Sequence, residues 1–134
     1  MALPPRARPY ARRFNRVARA FAERVPPFGV IHNVGRKTGT EYRTPVMAFG
    51  GHDNDAAVVA TPLAWGRDAG WCLNVRAAGA FTLTRRGREY RVDDLRLVGP
   101  DEAERLVGGG ARLANTTVRP REWIVGRLRH APVV

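Results

Sequence analysis

The chain of 134 residues is long enough for one domain with one core and too short for two. Its formal charge of +11, from 23 Lys and Arg against 12 Asp and Glu, stands out from an ordinary globular composition of 44% apolar and 26% charged residues, and calls for an anionic partner. Several chemistries drop out at once: there is no serine nucleophile, the lone Cys72 makes neither a disulfide nor a multi-thiolate metal site, and His32, His52 and His130 lack zinc-ligand spacing.

Residues 1–9, with three prolines and two arginines, read as a flexible arm, and residues 10–134 as a single domain. From Tyr10 to Glu23 the apolar positions Phe14, Val17, Ala18 and Phe21 recur at helical spacing among Arg12, Arg13, Arg16 and Arg19, which predicts a basic amphipathic helix stopped by Pro26-Pro27. Such a helix either caps a core edge or lets residues 10–24 touch an anionic membrane surface. Strands are predicted at Phe28–Val34 and Tyr42–Phe49, joined by Gly35-Arg36-Lys37-Thr38-Gly39-Thr40. Gly50-Gly51 and Asp53-Asn54-Asp55 read as the next turn, and Ala56–Thr61 as a central strand. Asp68 is the expected cap of a helix through Trp71, Leu73, Asn74 and Val75 that ends at Gly79. Phe81–Arg85 and Glu89–Leu97 flank Arg86-Gly87-Arg88 as a hairpin. Pro100 opens a helix with acidic residues at its positive end, Gly108-Gly109-Gly110 breaks it or marks its end, and Glu122–Leu128 is the last strand. About six strands, antiparallel where turns are short, describe a small barrel or an α+β fold rather than a doubly wound sheet. No apolar run is long enough to span a membrane and no signal peptide is evident, so a cytoplasmic protein is expected, peripheral to the inner face of the membrane if residues 10–24 bind it.

Two constellations carry chemistry. In the first, Gly35 and Gly39 permit a tight turn while Arg36, the only lysine Lys37 and Thr38 supply two cations and a hydroxyl, the composition of an anion cradle and equally of a solvated hairpin turn. It is not a P-loop, because Arg36 separates glycine from lysine and a strand follows. In the second, Trp65-Gly66-Arg67-Asp68 precedes Trp71 and Asn74, so tryptophan could wall a planar ligand while Arg67 and helix-start N–H groups bind its anionic part; two tryptophans packing a core is the other reading. A rival function rests on Arg85, Arg86, Arg88 and Arg91 beside Phe81 and Tyr90, which would suit a nucleic-acid-binding hairpin.

The order Gly35-Arg36-Lys37-Thr38-Gly39, Arg43-Thr44-Pro45-Val46, a strand, Gly66-Arg67-Asp68-x-x-Trp71-x-x-Asn74-Val75 and the Arg86-Gly87-Arg88 hairpin resembles the deazaflavin-dependent nitroreductase family over about Phe14 to Val98. The resemblance implies a split β-barrel of the pyridoxamine-phosphate-oxidase-like kind, with coenzyme F-420 as cofactor. It implies that Arg36, Lys37, Thr38 and Gly39 bind the phosphodiester and oligoglutamate portion, with Arg43 and Pro45 on the strand that follows. Ala60 and Thr61 would pass their backbone beside the deazaflavin ring, and Arg67, Asp68, Trp71 and Asn74 would lie by the ring and its chain. Two departures stand out: Pro62-Leu63-Ala64-Trp65 replaces the paired glycines common after that strand, and Tyr42 takes the place of an arginine, with Arg43 beside it. The implied activity is hydride transfer to a quinone, nitroaromatic or activated alkene, the proton coming from water, Tyr42 or His32. Expected partners are the small-molecule acceptor and a second copy in a homodimer, not nucleic acid. The same barrel binding FMN or haem remains the alternative.

Overall fold

A computed structural model describes Glu23 and residues 27–130. The arm over 1–9 and, apart from Glu23, the basic helix expected from Tyr10 lie outside the described residues. Among these, seven strands and three helices follow one another: β1 Phe28–Val34, β2 Glu41–Met47, β3 Phe49–Asp53, β4 Ala56–Pro62, α1 Gly70–Ala78, β5 Phe81–Arg85, β6 Arg88–Val98, α2 Pro100–Val107, α3 Gly109–Thr117 and β7 Trp123–His130. The strands form one antiparallel sheet in the order β2-β1-β5-β6-β7-β4-β3. Its edges, β2 and β3, are consecutive in the chain and joined through Ala48, whose N–H donates to Pro27 O at 2.7 Å. The sheet coils until β2 packs against β4, so side chains close the barrel without a hydrogen-bonded seam. The fold is a split β-barrel.

Two apolar clusters explain this arrangement. Inside the barrel, Ile31, Val59, Leu83, Val92 and Ile124 meet Cys72 and Val75, so α1 plugs one end. Outside, Val58, Ala60, Trp123 and Val125 meet Ala103 and Leu106 of α2 and Ala111 and Ala114 of α3. Strand β4 serves both clusters, Val59 inward and Val58 and Ala60 outward. That is why its apolar residues run without alternation.

Three expectations need correction. The stretch Tyr42–Phe49 is not one strand, and Gly50-Gly51 is not a turn: the chain bends at Ala48 and both glycines pair within β3. Gly51 is there because α2 rides directly on the strand; a Cβ on Gly51 would overlap the Leu106 carbonyl oxygen. The glycine run 108–110 does break the helix, ending α2 at Gly108, φ 74°; helix resumes at Gly109, giving the unanticipated α3. Finally, Asp68 does not cap α1. Ala69 occupies that position without a side-chain hydrogen bond, while the chain enters through Gly66 at φ 82°. The far end of α1 is as expected, with Gly79 left-handed at φ 77° and its N–H on Val75 O at 2.8 Å.

Candidate cofactor and active site

A cleft of about 360 Å³ opens between the turn after β1, the adjoining part of β2 and the start of α1. Asn33, Gly35, Arg36, Lys37, Thr38, Tyr42, Thr44, Gly70, Trp71 and Asn74 line it. The turn is closed by two backbone bonds, Gly35 N–H to Thr40 O at 2.7 Å and Gly39 N–H to Gly35 O at 2.9 Å. Gly39 takes φ 72°, and a Cβ on Gly35 would stand 2.8 Å from Thr38 Oγ1, so each glycine has its own reason.

Asn74 binds the two sequence constellations together. Its Oδ1 accepts from the Arg36 backbone N–H at 3.2 Å and from Arg36 Nη1 at 3.0 Å, while its Nδ2 donates to Asn33 Oδ1 at 2.9 Å. Asn33 Nδ2 in turn donates to Thr44 Oγ1 at 3.2 Å and to Ile31 O at 3.4 Å. Both amides are buried, Asn33 at 5% exposure and Asn74 at 7%. A hydrogen-bonded chain thus runs from β2 through β1 and α1 to the cationic turn.

The electrostatics favour an anion. Among the described residues no carboxylate forms an ion pair with Arg36, Lys37 or Arg43. The start of α1 faces the cleft at Gly70 and Trp71, lacks a side-chain cap and has no acidic residue in its first turn. Its free N–H groups and positive dipole end are therefore available to a ligand.

A second cleft of about 410 Å³ lies on the other side of Asn33, Tyr42 and Asn74, which line both, and carries His32, Arg43 and Arg91. His32 Nε2 lies 2.8 Å from Thr84 Oγ1. Burial, and then the Arg43 charge, lower the His32 pKa from its ordinary value. Because the folded state resists protonation more than the unfolded chain, the His32 contribution to stability is complete above the ordinary histidine pKa of about 6.5 and declines as pH falls below it. In thermal denaturation between pH 7.5 and 5, His32→Gln should flatten that part of the acid-side loss; an unchanged profile would contradict it.

The positions proposed from sequence divide into groups. Arg36, Lys37, Thr38, Trp71, Asn74 and Tyr42 come together in the first cleft, and Gly39 shapes its turn without lining it. Arg43 and His32 belong to the second cleft. Pro45 sits on β2 opposite Val30, and Ala60 and Thr61 are buried on β4, away from the lining of either cleft. Arg67 is turned away: its guanidinium makes a two-pronged pair with Glu122, with Nε 2.8 Å from Oε1. Asp68 is exposed and lines neither cleft. Trp65 is 79% exposed and Trp71 half-buried, so the two tryptophans do not share a core. Of the hairpin residues, Phe81 is buried in the barrel interior and Arg85 half-buried against Gly50, so the Phe81 ring is not presented for a base to stack on. Asn33 and Thr44 were not anticipated. The available signal was a polar residue two positions after the core residue Ile31 in an apolar strand, where a buried amide requires partners.

The family described as F420H(2)-dependent quinone reductase matches residues 7–121. The chain belongs to this family. It is an oxidoreductase, an F420-dependent reductase, and the resemblance drawn from the two motifs holds at that level, although the family description names a quinone reductase rather than a nitroreductase. A solved structure described as an F420-H2 dependent reductase matches with a TM-score of 0.55 and 16% identity over 75% of this chain and 94% of that one. Another, described as a domain-swapped dimer, matches with a TM-score of 0.52 and 13% identity over 88% and 98% of the two chains. At these identities the likeness is one of fold. No curated protein matches the chain. No helix among the described residues is long and apolar enough to cross a membrane.

Proposed function

We propose that the first cleft holds coenzyme F-420 and that the protein uses it to reduce a quinone. The observation that carries this reading is the Asn74 junction, which sets a cationic turn and an uncapped helix start around one cleft. The residues fit the cofactor: Lys37, Thr38 and the N–H groups at Gly70 and Trp71 suit a phosphodiester, Arg36 a carboxylate or phosphate, and Trp71 one side of a planar ring system. The reduced deazaflavin, when bound, supplies a hydride. The chain supplies orientation and charge neutralisation, and needs no nucleophile of its own.

Two side chains were candidates for the proton delivered to the reduced acceptor. Tyr42 lines both clefts at 47% exposure, while His32 engages Thr84 and has its protonated form disfavoured. That arrangement favours Tyr42. The quinone is preferred to a nitroaromatic or an activated alkene because the family description names it. A homodimer is part of the same proposal and is checked by sedimentation of the purified protein.

The test is to mix the protein with reduced coenzyme F-420 and, in parallel, a soluble naphthoquinone, a nitroaromatic and an activated alkene, following oxidation of the coenzyme. Quinone should be reduced fastest; failure of all three acceptors would sink the reading. Arg67→Ala should leave coenzyme affinity within about twofold, because Glu122 and not the cleft engages this guanidinium. A larger loss in a fluorescence titration would show that Arg67 swings to the ligand.

A further inference from the structure

We propose that Asn33, which hydrogen-bonds to none of the cationic groups, positions Arg36 by fixing which way the Asn74 amide faces. The inference rests on the reading of the first cleft as a coenzyme F-420 site. An asparagine amide has a donor end and an acceptor end of similar size, so Asn74 alone has two orientations. Asn33 removes the ambiguity. Its Nδ2 lies 3.4 Å from the Ile31 carbonyl oxygen, which can only accept, and 3.2 Å from Thr44 Oγ1. The nitrogen therefore belongs on that side, and Asn33 Oδ1 faces Asn74 at 2.9 Å as an acceptor. Asn74 must then present Nδ2 to Asn33 and Oδ1 to the turn, where two donors meet it, the Arg36 backbone N–H and Nη1.

The reverse orientation would set the Asn74 NH2 against those two donors and leave two acceptors facing each other on buried amides. The mismatch between the two amides is the costlier of these, because both are buried, at 5% and 7% exposure. A backbone carbonyl of β1 thus directs, through two asparagines, one edge of the Arg36 guanidinium toward α1. The other guanidinium N–H groups remain for an anion in the cleft. Asn33 is a positioning residue. Although it lines the cleft, its amide is taken up by Ile31, Thr44 and Asn74, so the effect proposed for it runs through Asn74 and Arg36.

The test is a double-mutant cycle in the full-length protein. Asn33→Leu is close in size and has no polar end; Asn33→Ala is the second variant. Each is combined with Arg36→Ala, with affinity for oxidised coenzyme F-420 read by fluorescence and folding by thermal denaturation. Loss of Asn33 should weaken binding about fivefold or more with Arg36 present, and less than about twofold with Arg36→Ala. A residue that only supports the fold would act alike in both backgrounds, so equal losses, or no loss, overturn the inference. Failure of both Asn33 variants to fold also overturns it, in favour of a purely structural role. If the wild type does not bind the coenzyme, the cofactor reading fails instead, and the same cycle with inorganic phosphate as the probe decides the positioning role. Binding of neither probe overturns both.

Discussion

Replacing Arg36 and Lys37 together by alanine should weaken binding of coenzyme F-420 at least about 100-fold, each charge-assisted contact being worth roughly 1.5–3 kcal/mol. The two cations are not equivalent. Arg36 is tethered, its backbone and guanidinium both held by Asn74, whereas Lys37 is exposed on the turn with no ion pair among the described residues. A tethered guanidinium loses little freedom when a ligand arrives, and a free ammonium contributes mainly field. Arg36→Ala alone should therefore cost more than Lys37→Ala. The melting temperature should hardly move, because the turn is solvated and its closing bonds are backbone bonds that alanine retains. Fluorescence titration beside thermal denaturation separates the two effects. A double variant that unfolds would show that the turn supports the barrel instead.

The largest stability effect is expected at Trp123, where alanine should cost about 3–5 kcal/mol, a large part of the roughly 5–15 kcal/mol available to a domain of this size. Trp123 is fully buried on β7, with its ring centroid 5.8 Å from that of Phe49 and tilted by 53°. Its Nε1–H donates to Asn115 Oδ1 at 2.8 Å, and Asn115 Nδ2 donates to Pro100 O at 3.1 Å. One side chain thus ties β7 to α3, and through Asn115 ties α3 to the start of α2. Its removal leaves a cavity beneath both helices and the half-buried Asn115 Oδ1 without its donor. Urea denaturation measures the loss. A cost under about 1 kcal/mol would mean that this layer is packed differently.

Much of the barrel could be read from local signals. The hairpin turns are short and chemically suited: Asn54 at φ 54° between β3 and β4, and Arg86-Gly87 at φ 53° and 75° between β5 and β6. Apolar runs marked β1 and β4, and the Arg86-Gly87-Arg88 turn marked β5 and β6. The miss at Gly50-Gly51 has a tertiary cause, since Gly51 answers to α2, which arrives about fifty residues later, and Gly50 lies against the Arg85 guanidinium of β5. The continuation of helix through Gly109 and Gly110 is another case in which packing overrides a local breaker.

In the site, the cationic turn and the Trp71–Asn74 helix start were visible because each is contiguous in sequence. The bonds that join them were not. Asn33 to Asn74 spans 41 positions, and Arg67 to Glu122 spans 55, so neither the buried amide chain nor the neutralisation of Arg67 leaves a local trace. Arginine type and helix-start position suggested a ligand for Arg67, and a distant carboxylate answers it.

Titrating wild-type protein with oxidised coenzyme F-420 and, separately, with FMN decides whether the cleft favours the deazaflavin over another flavin. Coenzyme F-420 should bind saturably and more weakly as salt rises, since binding would neutralise several charges at the turn, and FMN should bind more weakly. FMN binding more tightly, or coenzyme F-420 showing no saturable binding at low salt, would contradict the cofactor reading.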